Sequence, residues 1–161
     1  VAAAVIGLFG LGLWMTGLDY YDAWYKRGPE LHKGIGILLF GAVTLRLVWR
    51  RLDPPPQPER THAPWERRLA GFAHFLLYAL LFAVMVAGYL ISTADGRPIS
   101  VFGLFEVPAT LSGLPEQEDI AGEIHEWLAF ALIGVAALHA LAALKHHFID
   151  RDRTLKRMLG R

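Results

Sequence analysis

Glu123-Ile124-His125-Glu126-Trp127 opens an apolar run that continues to Leu138-His139-Ala140, and its two histidines stand 14 residues apart. At ~100° per residue an α-helix turns ~1400° over that interval, about 40° short of four full turns. Both imidazoles therefore share one helix face, roughly 21 Å apart at ~1.5 Å per residue. That is most of the ~30 Å hydrocarbon thickness of a bilayer. Two histidines at separate depths on one membrane helix make one pole of two stacked metal centres, provided other helices supply the opposite poles.

The composition suits that reading. A length of 161 residues fits one domain, and 54% apolar residues exceeds what an ordinary soluble domain carries. The absence of cysteine excludes disulfides, thiolate nucleophiles, Cys-ligated iron–sulfur clusters and covalent c-type haem attachment. Basic residues abut apolar runs instead of forming an aromatic-lined groove, so nucleic acid is not an expected partner. Serine and aspartate lie in loops without a paired base, which leaves hydrolytic chemistry unsupported.

Four apolar stretches predict spans at about 1–18, 31–49, 69–94 and 122–144. The second is the weakest, with Lys33 and Arg46 near its ends, where long basic side chains can snorkel to the interface. Pro54-Pro55-Pro56 marks a linker between the second and third. The chain opens on Val1 already inside an apolar run and without the basic stretch of a secretory signal, which reads as a truncated or processed N-terminus.

Charge then sets topology. Asp19 to Leu31 holds two basic and three acidic residues, and Arg46 to Arg68 six basic and three acidic. Asp95 to Glu123 holds one basic and six acidic, and Lys145 to Arg161 six basic and two acidic. Lys and Arg alternate poor, rich, poor, rich, the positive-inside pattern of four spans with both termini cytoplasmic. The predicted architecture is an all-α, integral membrane four-helix bundle forming a single membrane domain over 1–161.

On that topology the histidines pair by depth. His32 and His125 share the outer level, and His74 and His139 an inner one. A lone intramembrane histidine is as often a hydrogen-bonded core residue as a ligand, but pairing at two levels points to bis-imidazole ligation of haem iron. The His125 face also carries Leu128, Ala129, Leu132 and Ala136, small enough to admit flat macrocycles. Gly34 and Gly36, just after His32, either let a porphyrin approach the backbone or serve helix packing. Arg46, 14 residues after His32, either pairs with a haem propionate or semiquinone oxygen or anchors the inner interface with Arg50 and Arg51. His146 and His147, beside Lys145, read as interfacial anchors, and His62 as a solvated linker residue.

These residues together resemble the bacterial cytochrome b561 family. More distantly they are similar to the b-type cytochrome subunits of nickel–iron hydrogenases and formate dehydrogenases. The carriers span the chain: Tyr20-Tyr21 with Leu31-His32-Lys33, Ala73-His74 with Tyr78, Gly88-Tyr89-Leu90-Ile91-Ser92, and Val101-Phe102-Gly103. His125-Glu126, His139, Lys145-His146-His147-Phe148, Thr154-Leu155 and Met158 complete them. The resemblance implies two b haems and quinone as substrate. It assigns His32 and His125 to the outer haem, and His139 to the inner one together with a histidine near the start of span one. That last histidine has no counterpart here and would lie upstream of Val1, which leaves His74 as the rival inner ligand.

The expected function is electron transfer between membrane quinone or quinol and another redox partner, as a carrier or a quinone-using oxidoreductase in the bacterial inner membrane. The alternatives are a haem-bearing anchor whose outer loop, Asp95 to Glu123, docks a periplasmic redox or lipid-binding protein, and a haem-free histidine-lined transporter. Expected partners are membrane lipid, quinone, such a periplasmic protein and a second copy of the chain.

Overall fold

The computed structural model describes residues 1–53 and 64–151. The Pro54–Pro56 linker, His62, Thr154-Leu155 and Met158 lie outside the described residues. The elements run α1 (Ala2–Met15), α2 (Arg27–Leu52), α3 (Pro64–Thr93), β1 (Ile99–Val101), β2 (Phe105–Val107) and α4 (Gln117–Phe148).

Three helices are long and apolar enough to cross a membrane: α2, α3 and α4, of 26, 30 and 32 residues. The fourth expected span is the 14-residue α1, about 21 Å long at ~1.5 Å per residue. It stops at Met15, short of Leu18, where the Thr16 hydroxyl bonds back to the Leu13 carbonyl at 2.9 Å and Gly17 follows. The other three overrun the apolar segments because their polar ends stay helical. Pro64 opens α3, a position where its missing N–H costs nothing. Acidic Glu118 and Asp119 sit in the first turn of α4 and Lys145 in its last, matching the helix dipole.

The helices α3 and α4 form the most extensive packed pair, and α2 meets both α1 and α3. Leu39 and Val43 of α2, Leu81 and Val84 of α3 and Leu132 of α4 make the core, with Ala4, Val5 and Leu8 of α1 against it. That core is thin. No more than 17% of the apolar window of α2, α3 or α4 is buried within the bundle. Leu45, Phe75, Trp127 and Leu138 all face outward. Water would make such a surface untenable, and lipid makes it ordinary.

One element departs from an all-α chain: β1 and β2 pair antiparallel, with Ser100 opposite Glu106. Phe102 and Gly103 take φ values of 53° and 71°, the left-handed pair at the centre of a turn closed by the Leu104 N–H on the Val101 carbonyl at 3.0 Å, within a three-residue hairpin loop. A lone hairpin is marginal in isolation, and this one is docked. Ile99 and Val101 are buried, and the Phe102 ring lies against Gly34 of α2, where a Cβ would come within 2.7 Å of it. The rest of the loop is tied to the ends of α3 and α4. Tyr89 donates to the Pro108 carbonyl at 2.8 Å, Thr93 to the Leu111 carbonyl at 3.1 Å, and Gln117 to the Leu90 carbonyl at 2.9 Å. The bundle thus has a capped hairpin end and an opposite linker end, where α2 stops and α3 starts.

Candidate functional site

At the hairpin end, His32 of α2 and His125 of α4 face each other with ring centroids 6.1 Å apart and ring planes at 68°. They stand in the wall of a cavity of about 400 Å³ lined by all four helices. Its lining is otherwise largely apolar, including Leu8 and Phe9 of α1, Leu81 of α3 and Leu132 of α4. Two imidazoles binding one metal ion from opposite sides, at ~2.0–2.1 Å per metal–nitrogen bond, bring their ring centres about 6.3 Å apart. The observed spacing fits.

The rings are held differently. His125 Nδ1 donates to the Val84 carbonyl of α3 at 2.8 Å, which leaves Nε2 free as a ligand. Gly88, one turn further along α3, makes room for that ring: a Cβ there would stand 3.1 Å from His125 Cε1. His32 Nδ1 is buried without a hydrogen-bond partner among the described residues. Gly12 of α1 plays the spacer's part beside it, with a Cβ position 3.4 Å from His32 Cε1. Neither Val84, Gly88 nor Gly12 is marked by sequence spacing alone, since each acts across to another helix. Gly34 receives Phe102, and nothing lies within 4 Å of a Cβ at Gly36.

At the linker end, His74 of α3 and His139 of α4 meet with centroids 5.0 Å apart at 66°. That is edge contact, closer than two imidazoles on opposite sides of one ion. One turn along α3 from His74, Tyr78 accepts a hydrogen bond from Arg46 Nε at 3.2 Å and a longer one from Arg50 at 3.4 Å. The Arg50 guanidinium also lies 5.8 Å from the Tyr78 ring centre. Arg46 is therefore brought to the His74–His139 level, and Arg50, expected only as an anchor, converges on the same phenol.

Beyond the last turn of α4, Lys145 bonds Asp150 at 2.6 Å and lies 3.8 Å from Glu66, while His146 Nδ1 meets Asp150 at 2.7 Å. The Lys145 hydrogen bond, with help from His146, holds the Asp150 carboxyl below its usual range. His146, expected as an interfacial anchor, thus shares Asp150 with Lys145. At the hairpin end, Arg97, the sole basic residue between Asp95 and Glu123, is engaged by Asp95, which it holds below the usual carboxylate range.

A family model described as prokaryotic cytochrome b561 matches residues 1–161. Among curated proteins the chain is 55% identical over 160 residues to cytochrome b561 homolog 2 of Escherichia coli (strain K12), covering 99% of this chain and 85% of that one. It is 31% identical over 150 residues to cytochrome b561 homolog 1 of the same organism, covering 86% and 82%. It is 30% identical over 139 residues to a probable superoxide oxidase CybB of Yersinia pestis, covering 86% and 77%. The chain belongs to the prokaryotic cytochrome b561 family, a family of multi-pass helical membrane proteins whose cofactor is haem b.

Proposed function

We propose that this member of the prokaryotic cytochrome b561 family holds two b haems and passes electrons between membrane quinone and a second redox partner. The observation that carries this is the facing of His32 and His125 at 6.1 Å across an apolar cavity. When bound, haem supplies a reversible one-electron ferric–ferrous couple whose potential depends on its ligands and surroundings. The protein's own residues do the rest. His32 and His125 would hold iron through Nε2, Val84 fixes the orientation of His125, and the largely apolar wall would limit the access of water.

The second centre is assigned to His139, about 21 Å further along α4, so that one long transfer becomes two shorter ones. The 5.0 Å contact of His74 with His139 favours a fourth ligand upstream of Val1, with His74 beside the site. His74, Arg46, Tyr78 and Arg50 then form a polar cluster at the membrane's edge. The guanidiniums and phenol can hydrogen-bond a quinone oxygen, and His74 can exchange its proton. The surplus of Lys and Arg at the linker end supports a topology with that end and both termini in the cytoplasm and the bundle in the inner membrane.

Charge at the hairpin end bears on the reductant. One relative is named as a probable superoxide oxidase. Here both loops flanking His32 and His125 carry an acidic excess, and Arg97 is engaged by Asp95. A field of that sign repels an anion, so neutral quinol, not superoxide, is the reductant we assign.

Reduced-minus-oxidised spectra of the purified protein test these points together. A b-type α band is expected, appearing on addition of a short-chain quinol faster than under a superoxide flux. Absence of the band overturns the haem assignment. Haems that stay oxidised in excess quinol overturn the quinone assignment, and faster reduction by superoxide overturns the choice of donor.

A further inference from the structure

The two imidazoles at the hairpin end differ in one respect that their spacing conceals. His125 Nδ1 is 2.8 Å from the Val84 carbonyl, whereas His32 Nδ1 is buried with no partner among the described residues. A helical carbonyl has a second lone pair beyond the one its own helix uses, and His125 takes Val84's. Donation of Nδ1–H to a carbonyl makes the opposite nitrogen a stronger base and a better donor to a metal. Stronger donation favours the more highly charged ferric state.

The approach depends on Gly88. A Cβ there would stand 3.1 Å from His125 Cε1 and 3.2 Å from Nδ1, tighter than an ordinary carbon contact. The atoms it would strike belong to the ring that reaches Val84, so the ring can give way only by lengthening that hydrogen bond. On the other side, a Cβ at Gly12 would lie 3.4 Å from His32 Cε1 and 3.9 Å from Nδ1. That gap is wide enough for a small side chain and close enough for its oxygen to reach Nδ1.

We infer that Gly88 and the Val84 carbonyl make the two imidazoles unequal, and that the hydrogen bond they give His125 alone holds the reduction potential of the hairpin-end centre down. Gly88 is a positioning residue, acting on the metal only through His125. The inference rests on the haem reading above but adds a control that ligand identity alone does not supply. It also states that the control is one-sided, with the His32 side left open to adjustment.

Redox titration of the detergent-purified holoprotein, following the b-type α band, tests it with two substitutions of opposite effect. Gly88→Ala is expected to raise the midpoint of one haem transition and leave the other in place. The shift should approach a tenfold change in the ferric–ferrous equilibrium, ~59 mV for one electron. Gly12→Ser, which offers His32 Nδ1–H an acceptor, is expected to lower the midpoint of that same transition. The low-spin spectrum and haem-to-protein ratio should stay unchanged in both, which a loss of folding would not allow. Should Gly88→Ala shed the hairpin-end haem, Gly12→Ser decides alone: a lowered midpoint supports the inference and an unmoved one overturns it. Unmoved midpoints in two haem-replete variants sink the inference and leave the parent reading standing, whereas a wild-type protein without a b-type band sinks that reading instead.

Discussion

Helix α4 carries two histidines, and the surroundings of each are unlike. His125 faces His32 at 6.1 Å inside a cavity to which every helix contributes, and its Nδ1 is committed to Val84. His139 touches His74 edge-on at 5.0 Å, with Arg46, Arg50 and Tyr78 one turn away. The first arrangement is largely apolar, lined by all four helices and spaced for an ion between the rings. The second is polar, near the linker end, with its rings too close to hold one between them. A shared helix and a shared face therefore do not imply a shared role. On the proposed reading the hairpin end holds a centre between His32 and His125, while at the linker end His139 holds one with a ligand other than His74 and the polar cluster meets the reactant.

The comparison breaks most decisively on ligand removal. His32→Ala and His125→Ala are each expected to halve the haem content, as read by the pyridine haemochrome assay, while keeping the other centre's spectrum. His139→Ala is expected to remove the remaining haem. The discriminating variant is His74→Phe, which should keep both haems; loss of one would make His74 the fourth ligand and erase the contrast between the two ends. Next in size is the reactant cluster. Arg46→Gln and Tyr78→Phe should each slow reduction by quinol by about tenfold, what a charge-assisted hydrogen bond is worth, with haem content intact. Equal slowing by a variant at the hairpin end would move the quinone site there.

Much of this was legible in the residues, and the reason is the bilayer. Lipid forces helices, so Leu69–Ala94 and Trp127–Leu144 announce themselves by length, and imidazoles amid such runs stand out as costly. What the chain conceals are cross-helix partners. Nothing about Gly88 or Val84 in their own helix says that His125, 41 residues from Val84, will dock there. The hairpin hides for a related reason: Phe102 adopts φ 53° without being glycine. Only the Gly34 surface it lands on explains why the turn is held. Gly34, two residues after His32, left a porphyrin's approach and helix packing both open, and the structure sets the Phe102 ring of the hairpin loop against it.

That contact supplies the next test. In Gly34→Ala the new Cβ would lie 2.7 Å from Phe102 Cζ, so the hairpin must shift off α2. Overpacking of this kind costs about 1–3 kcal/mol, read as a lowered thermal midpoint in the haem-replete protein. The cap is separate from the ligands, so the haem-to-protein ratio should hold. A variant that instead loses the hairpin-end haem would show that the cap, and not the four helices, closes the cavity.

The smallest expected effect sharpens the contrast from the linker side. Asp150 lies outside the spans, and its carboxyl is held below its usual range by Lys145, then His146. A group whose pKa is depressed by folding stabilises the protein above its unfolded value, and the benefit is lost as pH falls through the folded one. Wild-type and Asp150→Asn proteins should therefore differ slightly in thermal midpoint at neutral pH and converge in acid. Screening by solvent keeps the gap small, and added salt should narrow it further. A gap that widens on acidification would mean that the Lys145–Asp150–His146 contact does not stabilise the end of α4, and that the helix beyond His139 is held by its apolar neighbours alone.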